Sequence, residues 1–410
     1  MMSNNDQLIC RVCNNQTREV IDLGVSPAAN NFVMSTEDHF QRHPLVVDFC
    51  DSCSCLQLRE CLNEDELYKN YSYMTPDTAS QIDHYIELIN FLEDNSILNV
   101  DTNCLELGSN TGLFLKTLKP FVKNVLGIDP AENIASLANS DGVETIPKFF
   151  NLESARDIKK AYGHQDLIIA RHMFAHNKDP KILLEGMVKL LSDKGSIVIE
   201  NAYAIPTLEQ GELDQIYHEH MFYFSVKSMQ KLLNIFSLEL TTLYKTSLHG
   251  GSIAFIASRQ GLKPTNKIID EYIDKESALF NEDMIFTEFN SKAKKLKERL
   301  LAVINEDLHL GKSIGAYGAT AKSFTLFSYL GLDSNVIKYC VDTTPTKIGM
   351  IFPYFNIPVI SEDQYKSDSV DTFLVTAWNY KEHILKKSET FMKKGTKLIF
   401  PLPNFEIIEI

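Results

Sequence analysis

The chain has 410 residues, 44% of them hydrophobic and 23% charged, with 18 Gly, 14 Pro and no biased tract, which excludes disordered, collagenous and coiled-coil classes and, at roughly 150 residues per domain, predicts two or three domains. Its 40 Lys and Arg against 54 Asp and Glu leave a net charge of −14, which disfavours a nucleic-acid partner because broad phosphate-backbone binding needs a positive field. No window approaches the ~20 consecutive apolar residues of a membrane span, so a soluble protein with no membrane partner is expected.

The N-terminal stretch MMSNNDQLICRVC lacks a basic start, an apolar run and a small-residue cleavage site. No secretory signal is read, and a cytoplasmic, thiol-reducing location is expected. Cys10, Cys13, Cys50, Cys53, Cys55 and Cys61 all fall before residue 62. The pairs Cys10-x2-Cys13 and Cys50-x2-Cys53 are knuckles that each offer two thiolates from one turn, as tetrahedral Zn²⁺ requires. With four cysteine ligands such a metal is structural. Cys55 and Cys61 are competing thiols, and buried free cysteines are the alternative. This block, residues 1–65, is expected to be a small zinc-binding domain.

Tyr71 and Tyr73 precede a helix expected over Thr78 to Asn95, where Ile82, Tyr85, Ile86 and Ile89 recur at helical spacing. Those tyrosines either cap the following domain or simply pack. From there to about residue 262, strand-like runs at Cys104–Leu107, Val125–Ile128, Leu167–Ala170 and Ser196–Glu200 alternate with helix-length segments. That alternation predicts a parallel sheet wound with helices.

The first strand runs into Glu106-Leu107-Gly108-Ser109-Asn110-Thr111-Gly112, and Asp129 ends the next strand. Gly108 and Gly112 permit close backbone approach, and the acidic residue accepts from two ribose hydroxyls. Asn110 stands where a middle glycine would admit a pyrophosphate, which favours S-adenosylmethionine over a dinucleotide such as NAD; a structural turn is the third alternative. His176 lies just past the strand Leu167–Ala170, at the carboxyl edge where open α/β sheets bind ligands. Further on, Tyr217-His218-Glu219-His220 gathers four hydrogen-bonding side chains between apolar neighbours. It lacks the i, i+4 histidine pair of a metalloprotease helix. A general-base site and satisfied core histidines are the two readings.

From about Asn266 to Leu310 the chain is charged and helically periodic, and it introduces a third block, residues 263–410, with strand-like runs at Ser313–Ala316, Ile337–Asp342, Thr372–Val375 and Lys397–Phe400. Gly315-Ala316-Tyr317-Gly318-Ala319-Thr320-Ala321-Lys322 again joins strand to helix, and Asp342 ends the following strand. Backbone N–H groups at that helix start, with Lys322 one turn in, suit a diphosphate; a glycine turn used only for packing is the alternative.

Taken together, the CxxC pair, the YxY segment, the ExGxNxG loop, Ala175-His176, YHEHxxYFS, the HGGS run His249–Ser252 and GxYGAxAK resemble the C-methyltransferases that act on nucleotide-linked deoxysugars, including those of tetronitrose and mycarose-type biosynthesis. The resemblance implies an α/β protein with three parts: the zinc-binding domain, a central Rossmann-like domain (66–262) holding S-adenosylmethionine through Glu106, Gly108, Asn110, Gly112 and Asp129, and a C-terminal Rossmann-like domain that helps hold the nucleotide sugar. It further implies a 4-keto sugar nucleotide as substrate, because a ring carbon becomes nucleophilic only when a neighbouring ketone acidifies its proton. His220 is then the base. Tyr217, Glu219 and His176 orient it and stabilise the enolate oxygen, and Tyr71 or Tyr73 closes over the site. Tyr317, Gly318, Lys322 and His249 contact the substrate, with the diphosphate met by a local pocket around Gly318 and Lys322.

No obligate protein partner is expected. Met74–Asp77, Ala254 and Thr320 depart from the family pattern and are expected on the substrate side. An NAD-dependent nucleotide-sugar oxidoreductase or epimerase is the alternative enzyme, and a zinc-bearing binding module without turnover is the alternative class.

Overall fold

In the computed structural model the described residues are 8–38, 40–63, 67, 74–75, 77–246 and 250–410. Among them the strands form three sheets. The first is antiparallel and built from β1 (Arg18–Pro27), β2 (Arg42–Cys50) and β3 (Cys55–Leu58). The apolar run at the end of β2 is buried, and its last residue, Cys50, pairs with Cys55 across the turn that carries the second knuckle.

The second sheet starts with the parallel strands β4 (Asn103–Leu107), β5 (Asn124–Ile128), β6 (Thr145–Ile146), β7 (Gln165–Arg171) and β8 (Leu191–Ala202). Their unbroken apolar runs suit strands covered on both faces. The next strand in the chain, β9 (Phe222–Tyr223), leaves this sheet. It pairs with β3, setting Leu56 opposite Tyr223 and Gln57 opposite Phe222. β10 (Leu238–Thr246) and β11 (Ser252–Arg259) then return as antiparallel strands against β8, giving the order β10-β11-β8-β7-β4-β5-β6. Strand order reverses at β4, so a crevice opens at the carboxyl ends of β4 and its neighbours.

The charged stretch between the second and third blocks is two helices, Ile268–Phe280 and Met284–His309. The first anchors the central domain through Glu276, which accepts from the Val226 and Lys227 N–H groups (2.7 and 3.2 Å) and the Tyr203 hydroxyl (2.7 Å). The third sheet comprises β12 (Ile314–Tyr317), β13 (Ile337–Val341), β14 (Ile351–Phe352), β15 (Ile357–Ile360), β16 (Thr372–Val375), β17 (Lys397–Phe400) and β18 (Glu406–Glu409) in the order β14-β15-β13-β12-β16-β17-β18. It reverses at β12, so loops after β12, β13, β16 and β17 share one carboxyl edge. One apolar core runs from the first sheet through one face of the second into the third. The other face of the second sheet packs under the helix Ala79–Asp94.

Candidate active site

The Sγ atoms of Cys10, Cys13, Cys50 and Cys53 lie within 4.8 Å of one another, with Cys10 to Cys53 at 3.6 Å and Cys13 to Cys50 at 3.4 Å. A tetrahedron with Zn–S near 2.3 Å has edges of about 3.8 Å, so the four thiols fit zinc and leave no open position. Cys55 and Cys61 stay outside the quartet. Arg11, inside the first knuckle, donates to the carbonyls of Leu58 (2.9 Å) and Met221 (3.0 Å) and lies 4.6 Å from the Phe222 ring centre. The metal unit therefore grips the chain one residue past His220.

At the carboxyl ends of β4 and β5, Glu106, Gly108, Asn110, Asp129, Phe150, Arg171 and His176 are among the residues lining a cavity of about 160 Å³. Gly108 has φ +63°, and a Cβ there would lie 2.9 Å from Met173; one on Gly112 would lie 2.9 Å from Val143. Asp129 accepts from the N–H groups of Asn110 (2.9 Å) and Ala131 (3.0 Å), and burial holds its pKa above the ordinary value even so. Oε2 of Glu106 is buried with no hydrogen-bond partner among the described residues, and burial pushes this carboxyl up to about 7 against the pull of Arg171. An orphaned acceptor at the floor of a glycine-lined cavity fits the hydroxyl donors of a ribose. The Asn110 side chain accepts from the Thr75 N–H at 2.9 Å, and so ties the segment after the tyrosines to the cofactor loop.

Beneath the cavity lies a charged group that local spacing in the sequence does not reveal. Arg171 sits 3.5 Å from Glu106 and 3.7 Å from Glu200, with its guanidinium over the rings of Tyr85 and Phe114 at 4.2 and 4.3 Å. His84 is 2.7 Å from Glu200. Burial raises the Glu200 pKa, but the His84 hydrogen bond and the nearby cationic groups bring it down to about 2. The one local sign was a glutamate closing the apolar strand SIVIE.

The segment 217–220 is not helical, and its side chains part company. His220 Nδ1 is 2.8 Å from the Gln215 carbonyl and its Nε2 is 2.7 Å from the Tyr217 hydroxyl. The carbonyl can only accept, so Nδ1 carries the proton and Nε2 keeps its lone pair. Burial, with the neighbouring His176, holds His220 well below an ordinary imidazole, and burial takes His176 down to about 3. The two rings are 5.2 Å apart. Glu219 accepts from the Asn30 side chain at 2.7 Å, a contact from the N-terminal unit. His218 turns away, 3.3 Å from the Pro44 carbonyl and edge-on to His43. Tyr71, Tyr73 and His249 lie outside the described residues.

The third-block loop is bonded within its own domain. The N–H of Gly318 donates to Val341 O (2.8 Å), that of Ala319 to Asp342 Oδ2 (2.6 Å), and that of Thr320 to Gly318 O (3.0 Å) and Ser323 Oγ (3.1 Å). These three loop N–H groups are engaged within the protein, whereas the helix start proper is at Ala321 and Lys322. Gly318, at φ +102°, is required because a Cβ would sit 2.5 Å from that of Ala377. Tyr317 points into its own domain, with its hydroxyl on Glu362 at 2.7 Å, and does not join the His220 group. Lys322 is buried beside two carboxylates. Of the departures expected on the substrate side, Thr75 lines the cofactor cavity, Ala254 is fully buried opposite Glu200, and Thr320 caps the helix Ala321–Leu330 through Ser323.

Family models cover the chain in three consecutive stretches. Models described as "Putative zinc binding domain", "Methyltransferase domain" and "C-methyltransferase C-terminal domain" match residues 10–68, 79–243 and 247–403 in turn. The C-methyltransferase NovU of Streptomyces niveus is 30% identical, covering 97% of this chain and 96% of that protein. Among solved structures, the magnesium protoporphyrin IX methyltransferase of Synechocystis PCC 6803 with bound SAM has a TM-score of 0.33 at 12% identity, over 44% of this chain and 80% of its own. The N-methyltransferase NodS of Bradyrhizobium japonicum WM9 has a TM-score of 0.34 at 15% identity, over 45% and 98%.

Proposed function

The chain belongs to the C-methyltransferase family, and from that premise we propose that it methylates a ring carbon of a nucleotide-linked 4-keto deoxysugar, with His220 as the base. The observation that carries this reading is the His220 imidazole. It is neutral, its Nδ1 proton is held by the Gln215 carbonyl, and its basic Nε2 accepts from the Tyr217 hydroxyl. On this reading Nε2 takes the proton from the carbon beside the ketone, and the C–H electron pair becomes the enolate. The Gln215 carbonyl then holds the Nδ1–H of the imidazolium. The Tyr217 hydroxyl, released from Nε2, donates to the enolate oxygen as charge develops there. Glu219, tied to Asn30, fixes the backbone between Tyr217 and His220, while His176 packs on the base and borders the cofactor cavity.

Glu106, Gly108, Asn110, Gly112 and Asp129 suit S-adenosylmethionine, which supplies an electrophilic methyl group to the enolate carbon. Against the NAD-dependent alternative stands Asn110, at φ +50° with its side chain bound to Thr75, where close pyrophosphate approach needs glycine.

The test is incubation with S-adenosylmethionine and a panel of nucleotide 4-keto-6-deoxysugars, read as a mass gain of one methylene. Methylation absent across the panel refutes the reading. His220→Ala is expected to abolish both methylation and solvent deuterium exchange at the sugar carbon; exchange that survives intact places the base elsewhere.

A further inference from the structure

Lys322 is nine-tenths buried, in the first turn of the helix Ala321–Leu330, and its Nζ has no hydrogen-bond partner among the described residues. Glu212 and Asp214 beside it are equally enclosed, and Glu212 Oε1 and Asp214 Oδ1 are likewise without partners. The rest of each side chain is held in place. Trp378 Nε1 donates to Asp214 Oδ2 at 2.6 Å, Gln215 Nε2 donates to Glu212 Oε2 at 3.3 Å, and Lys322 Nζ lies 4.0 Å from the Trp378 ring centre. The result is a buried trio with one ammonium and two acceptor oxygens unpaired among the described residues.

The trio belongs to the same seam as His220. The helix carrying Lys322 packs against residues 213–215, and Thr325 Oγ1 donates to the Ile216 carbonyl at 2.6 Å. The Lys322 charge is felt at His220. Gly250 also matters here, since a Cβ on it would sit 2.4 Å from Glu212 Oε2.

Charge decides what this trio can hold. Two carboxylates outweigh one ammonium; with Glu212 protonated, as burial that pushes it up to about 8 favours, the sum is zero, and burial that raises Asp214 and lowers Lys322 moves those two toward neutrality together. A diphosphate gains no net attraction there and meets acceptors where it needs donors. A neutral polyhydroxylated ring is complementary: a hydroxyl donates to each open carboxylate oxygen, and a hydroxyl or ring oxygen accepts from the ammonium. We infer that Lys322, Glu212 and Asp214 read the hydroxyl groups of the substrate's sugar and not its diphosphate, which makes them specificity-determining residues; this rests on the nucleotide-sugar reading above.

The experiment is calorimetric titration of the full chain with dTDP and UDP, with their 4-keto-6-deoxyglucose conjugates, and with S-adenosylhomocysteine. It compares wild type with Asp214→Asn, which keeps an acceptor for Trp378, and Lys322→Met. Both variants should bind the conjugates at least about tenfold more weakly, as expected when a buried polar partner of a substrate hydroxyl is lost. The free diphosphates and S-adenosylhomocysteine should stay within about twofold, the latter showing that the fold is kept. A parallel fall in diphosphate affinity with Lys322→Met overturns the inference in favour of a phosphate clamp. Unchanged affinity for every ligand overturns it in favour of a purely structural ion cluster. Wild type that binds S-adenosylhomocysteine but no conjugate refutes the nucleotide-sugar reading itself, and the inference with it.

Discussion

Replacing Arg11 with leucine should damage the proposed reaction centre at His220, which Arg11 does not itself contact. Its guanidinium donates to the carbonyls of Leu58 and Met221, joining the first knuckle to β3 and to the residue after His220. A hydrogen bond from a charged donor contributes about 1.5–3 kcal/mol. Met221 O keeps a second donor, the Leu58 N–H at 3.0 Å, so the low end applies and the pair should be worth about 3 kcal/mol. The stacked contact on Phe222 is largely replaced by leucine.

If that loss falls on the docking of residues 217–223, their opening becomes roughly 100-fold more frequent, at 1.4 kcal/mol per tenfold. Hydrogen exchange read by mass spectrometry on peptides spanning 213–224 should show protection falling by up to about that factor. Turnover should fall in step, while S-adenosylhomocysteine affinity stays within about twofold, because the cavity at β4 and β5 has its own supports. Arg11→Lys, able to reach one carbonyl at a time, should recover part of both losses. Lost protection with unchanged turnover would refute the idea that docking on the metal unit positions His220. An equal fall in S-adenosylhomocysteine affinity would show that the damage is not local.

Stripping the metal with a chelator should abolish turnover yet leave S-adenosylhomocysteine binding measurable by calorimetry, with zinc restoring activity; activity unaffected by verified metal loss contradicts the coupling. Glu106→Gln should weaken S-adenosylhomocysteine binding at pH 8 by about tenfold or more, since an ionised carboxylate is the stronger acceptor of ribose hydroxyls. The same substitution should change the melting profile. Glu106 holds its proton more tightly folded (about 7) than unfolded (4.5), so its contribution to stability falls as pH rises through that window. Removing the group should flatten the decline, and an identical pH profile for both proteins would show that Glu106 is ionised throughout. With His220 held well below an ordinary imidazole and S-adenosylmethionine saturating, His220 should add no acid limb near pH 6.5 to kcat/KM for the sugar. An acid limb centred near 6.5 that persists in Glu106→Gln would mean that His220 titrates as an ordinary imidazole in the free enzyme.

The knuckles, the ELGSNTG loop and the alternating strands were legible because each is local: ligands two residues apart, glycines within one turn, apolar runs of strand length. The parts that were not legible depend on contacts between distant segments. Lys322 reads as an anion ligand from its place near a helix start, and only the fold shows that Glu212, Asp214 and Trp378 enclose it. The Glu106–Arg171–Glu200–His84 group draws on four separate elements. His218 and His220 look equivalent in the sequence, yet an irregular backbone sends one to Pro44 and the other to Tyr217. β9, at two residues, is too short to leave any periodic signal.

That short strand also sets an order of assembly. The metal-binding unit is synthesised ahead of the strand that covers β3, which is complete only at residue 223. Until then the edge of Cys55–Leu58, four residues that are all buried in the finished protein, stands open as a template for pairing with another chain. Zinc captured early would hold the two knuckles together through that interval. A nascent chain starved of metal should therefore be lost to aggregation during synthesis, and a fragment ending before residue 222 should be insoluble even with its four cysteines loaded.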